Sequence, residues 1–224
     1  MVKAQDMSRP VIVVVGAGPG VSGSVARRFA REGYDVGLLG IEEQQLVQLA
    51  GELEALGSAV GHTVVDVTDV DETTGAIQRF GGFADRIDVL HFNPSAFREQ
   101  DPLELSVAGL LEDVALGVGA LLTAVQAARP FMSAGGRVTV TGSMAADQPW
   151  HGAASLGVQK AGVRNLVHSL DTTLRPDGIR AVSVTVRGTL GREGAFTPDR
   201  VAEAIWDAAH QDADDWQSEG PYSG

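Results

Sequence analysis

The sequence predicts a three-layer α/β fold: a doubly wound parallel sheet of about six strands with helices on both faces. Three observations predict it. Short runs of valine, isoleucine and leucine alternate along the chain with longer stretches of helical periodicity. No linker or shift in composition interrupts that alternation between residues 11 and 210. The first run, Val11-Ile12-Val13-Val14-Val15, is entirely β-branched, as a strand buried on both faces requires.

The composition fits one domain over 11–210, flanked by tails at 1–10 and 211–224. A chain of 224 residues with 44% apolar residues is long and apolar enough for one sizeable core. Asp and Glu (29) exceed Lys and Arg (17), giving a net charge of −12 without a basic run. Such a chain is a poor partner for nucleic acid or an anionic membrane. There are no cysteines, so disulfides, thiolate catalysis and zinc–thiolate sites are excluded. Residues 1–10 are polar, and the run at 11–15 is too short to span a bilayer. The expectation is a cytoplasmic protein with no membrane partner.

The elements follow in order. After the strand at 11–15 comes Gly16-Ala17-Gly18-Pro19-Gly20-Val21-Ser22-Gly23. Val25, Ala26, Phe29 and Ala30 then repeat at helical spacing, with Arg27, Arg28, Arg31 and Glu32 opposite. Strand, glycine turn and helix form the setting of a Rossmann-type dinucleotide-binding loop. Gly16 permits the tight turn. Gly18 and Gly20 bare the backbone N–H groups to a pyrophosphate, and the helix N-terminus adds orphan donors and partial positive charge. The competing reading is a glycine turn that only packs a helix on a sheet. Gly33 stops the first helix, residues 34–40 form the second strand, and 42–56 a helix closed by Gly57. Strands are expected at 60–65, 88–92, 137–141 and 179–186. Helices are expected at 70–82, 102–132 and 152–174, and at 198–209, where Pro198 takes a first-turn position. No strand-like run follows residue 207, hence six strands, with Trp216 in a loose tail or packed on a neighbour.

On these motifs the chain resembles the short-chain dehydrogenase/reductase family over nearly its whole length. Gly16-Ala17-Gly18-Pro19-Gly20, with Val21 after it, is similar to that family's glycine loop; Ser22 stands where a further glycine is usual. Asp66-Val67 matches the pair that meets adenine, and Asn93 the surviving asparagine of the segment after the fourth strand. Ser143 and Lys160, seventeen residues apart, match the family's catalytic serine and lysine. The tyrosine between them, the usual proton carrier, is replaced by Leu156, and the asparagine of the preceding helix by Leu116. Leucine transfers no proton. By the resemblance, Lys160 holds the nicotinamide ribose through its three donors and Ser143 a substrate oxygen. His151 and Asp147 lie in the loop after Ser143. A histidine there is apt as an acid or base near neutral pH, the alternative being a solvated loop residue. Gly188 is kept from the family's segment after the sixth strand, while its proline is Arg187 and its threonine position falls on Arg192. The pattern resembles a divergent subset lacking the usual catalytic tyrosine.

The cofactor reading is NAD or NADP, leaning to NAD. After the second strand the chain offers Gly40-Ile41-Glu42-Glu43 and no arginine, and a 2′-phosphate beside two glutamates is repelled. Two functions remain open. One is an NAD(P)-dependent oxidoreductase acting on a small carbonyl, alcohol, imine or alkene with a degenerate catalytic site. The other is an inactive dinucleotide-binding protein serving as cofactor sensor or partner subunit. Small residues along 115–120 and 152–162 suit close helix packing, so a homodimer or homotetramer is expected.

Overall fold

The computed structural model describes residues 9–224. Of the tail expected at 1–10, only Arg9 and Pro10 therefore fall among the described residues. All sheet pairings are parallel, in the order β3-β2-β1-β4-β5-β6-β7. The strands are β1 Val11–Val15, β2 Asp35–Gly40, β3 Val60–Val64, β4 Val89–Phe92, β5 Arg137–Ser143, β6 Arg180–Val186 and β7 Glu219–Tyr222. The helices are α1 Val21–Arg31, α2 Glu43–Ala55, α3 Val70–Ala84, α4 Val107–Val114, α5 Ala120–Ala128, α6 Ala154–Leu174 and α7 Pro198–Ala209.

Alternation within the strands splits the core in two. Val13, Val15, Leu90, Phe92, Val138 and Val140 meet residues of α3, α5 and α6. Ile12, Val14, Leu38, Val182 and Val184 meet α1, α2 and α7. Strand order reverses between β1 and β4, which opens a crevice beyond their carboxyl ends. Phe29 is fully buried on the second face and packs edge-on against Tyr34 and Trp206, with ring centroids 5.1 and 4.8 Å away. Phe29→Ala is expected to cost about 3–5 kcal/mol. Urea unfolding should show it as a lower midpoint at unchanged slope.

Two sequence expectations are corrected. Among the described residues the sheet has seven strands, not six, because residues 219–222 of the expected tail pair with β6, Ser183 opposite Glu219 and Val186 opposite Tyr222. The segment Glu219-Gly220-Pro221-Tyr222 carries no strand signal, since glycine and proline are poor strand formers, but an edge strand tolerates proline. Trp216 anchors it: the indole is 8% exposed and lies against the guanidinium groups of Arg180 (4.7 Å) and Arg137 (5.1 Å) of the same chain.

The helix expected at 102–132 begins later, where Ser106 Oγ accepts from Gly109 N at 3.0 Å. It then passes through a π turn, Ala115–Gly119, before α5. The run Val107–Phe131 is long and apolar enough to cross a membrane by length and composition. Here Leu121, Ala124, Val125 and Ala128 are instead buried in the core.

Candidate functional site

A cleft of about 580 Å³ lies at the carboxyl ends of the strands. β1 and the turn after it supply one end. Gly16 has φ +77°, and a Cβ on it would lie 2.8 Å from the Pro94 ring, so both backbone and space demand glycine. Gly20 opens α1 with no side-chain cap and no acid in the first turn, leaving that helix end to an anion. Ser22 Oγ accepts from Gly18 N at 3.1 Å, so the serine in the glycine position fastens the loop.

Ile41, Val65 and Val67 form an apolar wall beside the loop. The Asp66 carboxylate accepts from Thr68 N (2.9 Å) and Thr68 Oγ1 (2.7 Å), which hold its pKa below the usual carboxylate range. Gly40 is bare for a reason: a Cβ there would sit 2.6 Å from the Ala17 carbonyl oxygen. No acid fits at that strand end, and Glu42 and Glu43 stand exposed just beyond it. Of the two nearby arginines, Arg27 lies beside the loop's end, its guanidinium nitrogens 3.5 Å from where a Cβ on Gly23 would stand. Arg27 pairs with Glu52 at 2.8 Å, and Arg28 with Glu32 and Glu203.

The middle of the cleft is walled by Asn93, Pro94 and Ser95 after β4. Asn93 N donates to Val15 O at 3.0 Å. Gln159 of α6, not singled out from the sequence, is buried and holds this loop at Ala96. It accepts from Ala96 N at 3.1 Å and donates to Ala96 O at 3.3 Å. It also backs onto the π turn, where a Cβ on Gly117 would lie 2.8 Å from Gln159 Oε1. The sequence signal for it is a neutral amide beside Lys160 in a helix facing the sheet.

The far end holds the serine and the lysine expected at the site. Ser143 ends β5, and its Oγ accepts from Ala145 N at 3.2 Å. Lys160 is 6% exposed, and its Nζ donates to Thr141 O at 2.9 Å. Burial lowers its pKa to about 8. Leu156, one turn before Lys160, and Leu116, in the π turn, both line the cleft with Phe97, Val186, Gly188 and Leu190.

Of the residues expected at the site, Gly16, Gly20, Val21, Ile41, Val67, Asn93, Ser143, Lys160 and Gly188 meet in this one cleft. Gly18, Pro19 and Asp66 sit in its bordering turns without lining it. His151 is not brought in. It is exposed and lines a separate hollow of about 570 Å³ with Pro102, Leu110 and Trp150. Neither tyrosine reaches the cleft. Tyr34 packs on Phe29, and Tyr222 Oη donates to Ala195 O at 2.6 Å. Buried His91 bonds Thr139 Oγ1 through Nδ1 at 3.0 Å, and burial lowers its pKa to about 3, so it stays neutral at physiological pH.

Comparison with known proteins agrees with this geometry. A family model described as short chain dehydrogenase matches residues 10–191. Oxidoreductase asL5 of Sarocladium schorii is 29% identical over 181 residues, covering 79% of this chain and 70% of that protein. Sulfoacetaldehyde reductase 2 of Chromohalobacter salexigens is 26% identical over 213 residues, covering 93% and 84%. Among solved structures, a short chain dehydrogenase from Burkholderia cenocepacia in complex with NADP superposes with a TM-score of 0.88 at 23% identity, over 95% of each chain.

Proposed function

Since the chain belongs to the short chain dehydrogenase family, we propose that its cleft binds NAD in preference to NADP and serves hydride transfer with a small substrate. The observation that carries this reading is the continuity of one cleft from the glycine turn to Ser143 and Lys160. The residues fit the cofactor: α1 begins uncapped, and a Cβ on Gly20 would meet nothing within 4 Å, leaving room for a diphosphate. When bound, the cofactor supplies the hydride donor or acceptor.

The turn from Gly16 through Gly18, Pro19, Gly20 and Val21 would hold the diphosphate. Ile41 and the Asp66-Val67 pair would hold the adenosine, and Asn93, Lys160 and Gly188 the nicotinamide riboside. Glu42 and Glu43 disfavour a 2′-phosphate, and Arg27 and Arg28 are each already paired with a carboxylate, Glu52 and Glu203. The solved Burkholderia structure is a complex with NADP; the preference for NAD rests on Glu42 and Glu43 of this chain.

Ser143 Oγ is free to donate to a substrate oxygen. Leu156 and Leu116 put alkyl groups where the family keeps its proton carriers. The substrate served best is therefore one whose reduction needs little acid help, an imine or an activated alkene rather than a simple ketone. His151, placed outside the cleft, takes no part, and the proton comes from water beside Ser143. Oxidation of NADH in the presence of matched ketones, imines and activated alkenes tests this. Turnover with the last two classes is expected. Binding of NADH with no turnover of any class would leave the second reading, a cofactor sensor or partner subunit, which the two leucines favour. The proposal includes a cytoplasmic homodimer or homotetramer built on the exposed apolar side chains of Leu103, Val107, Leu111, Leu122 and Val158. A monomer mass by light scattering would refute it.

A further inference from the structure

We propose that Asp147 is a positioning residue that holds three walls of the cleft together from a neighbouring hollow, which it lines with Arg164 and Arg187. The inference rests on the proposed function and adds a residue to that same site. Asp147 ends the short turn that follows Ser143. One carboxylate oxygen pairs with Arg164 Nη1, on α6 one turn beyond Lys160. The other lies 3.0 Å from Arg187 Nη2. Arg187 begins the segment 187–197, whose Gly188 and Leu190 line the cleft. A single carboxylate thus joins the wall carrying Ser143, the wall carrying Leu156 and Lys160, and the wall carrying Gly188.

The join is braced from β7. Arg164 Nη2 donates to Ala146 O at 3.3 Å, and Arg164 Nη1 lies 3.5 Å from Glu219. Glu219 Oε1 accepts from Thr185 Oγ1 at 2.7 Å and lies near His168, 3.8 Å away. Arg187 N donates to Tyr222 O at 2.9 Å, and Tyr222 Oη to Ala195 O at 2.6 Å. The 187–197 segment is therefore fastened near both ends, and Asp147 is its tie to the other two walls. Without the Asp147 charge, Arg164 and Arg187 share no carboxylate, and the segment loses that tie. The side chains of the pairs are 24–37% exposed, and such ion pairs contribute little to global stability. Their effect falls on geometry, which a binding site must hold to within about 0.5 Å.

The test uses Asp147→Asn, Asp147→Glu and Arg187→Gln in the full-length protein, with three readouts: melting temperature, affinity for NADH, and the rate of tryptic cleavage after Arg192, an exposed site within the segment. For Asp147→Asn, cleavage is expected to be about tenfold faster and NADH binding about tenfold weaker, the loss of one charge-assisted contact. The melting temperature should move by less than about 2 °C. Asp147→Glu should restore most of both effects, and Arg187→Gln should reproduce the cleavage effect. Wild-type cleavage and affinity in Asp147→Asn would overturn the proposal. So would an Asp147→Asn defect accompanied by wild-type behaviour of Arg187→Gln, which would mean a structural defect. Should the wild type bind no NADH, the functional reading fails, and the cleavage rates alone decide the role of Asp147.

Discussion

Lys160→Met is expected to weaken NADH binding about tenfold to a hundredfold, the range for losing hydrogen bonds from a charged donor. The same substitution should raise stability at pH 7. Lys160 is buried with one partner, Thr141 O, and burial lowers its pKa to about 8 from the 10.5 of a solvated lysine. Below pH 8 the native and unfolded chains both carry the proton, and the penalty is full, up to about 3 kcal/mol. Between pH 8 and 10.5 the unfolded chain binds more protons than the native one, so the penalty fades as pH rises. The variant's stability advantage in urea unfolding should therefore be largest at or below pH 8 and vanish near pH 10.5. A variant that is more stable but binds NADH as tightly as wild type would remove Lys160 from the cofactor site. A residue that costs folding energy and faces the cleft is the pattern expected of a group kept for binding.

Leu156→Tyr carries the second large effect. Leu156 lines the cleft one helical turn before Lys160, on the same helix as the ammonium and across from Ser143. A tyrosine there gains a neighbouring cation that lowers its pKa from about 10, making it a usable acid. Reduction of a simple ketone by NADH should rise by about 10²–10⁴-fold, the usual range for a positioned general acid. The gain should fall in kcat more than in KM, and it should depend on Lys160 in the double variant. Unchanged ketone turnover, with NADH binding intact, would show that something besides the missing phenol silences this substrate class.

The sheet and its order of elements were legible because strand interiors buried on both faces read as unbroken apolar runs. Val11 to Val15 is the clearest. The glycine turn was legible because Gly16 must take positive φ and the strand and helix around it have separate periodicities. Ser143, Leu156 and Lys160 are singled out by the resemblance to the family's serine, tyrosine and lysine positions, and all three line the cleft. What stayed hidden depends on contacts distant in sequence. β7 takes its place from the pairing of residues 219–222 with β6 and from Trp216 between two arginines, none of which its local sequence encodes. The π turn at 115–119 lies inside one continuous apolar run, Val107–Phe131, which reads as a single helix. Gln159 looks like any helical amide until Ala96 is placed against it. His151 looked apt by chemistry and loop position, but the chain beyond Asp147 carries it to a neighbouring hollow. Gly40 reads as an ordinary glycine until the Ala17 carbonyl is placed against it, leaving no room for a side chain.

If the cleft from Gly16 to Lys160 is a working dinucleotide site, it must take up its cofactor from solution. Calorimetric titration of NAD⁺, NADH, NADP⁺ and NADPH into purified protein shown to be free of carried-over nucleotide tests it most directly. Micromolar binding of NAD⁺ and NADH, about tenfold tighter than their 2′-phosphorylated counterparts, is the predicted result. Binding of none of the four would reduce the glycine turn to a packing device between β1 and α1.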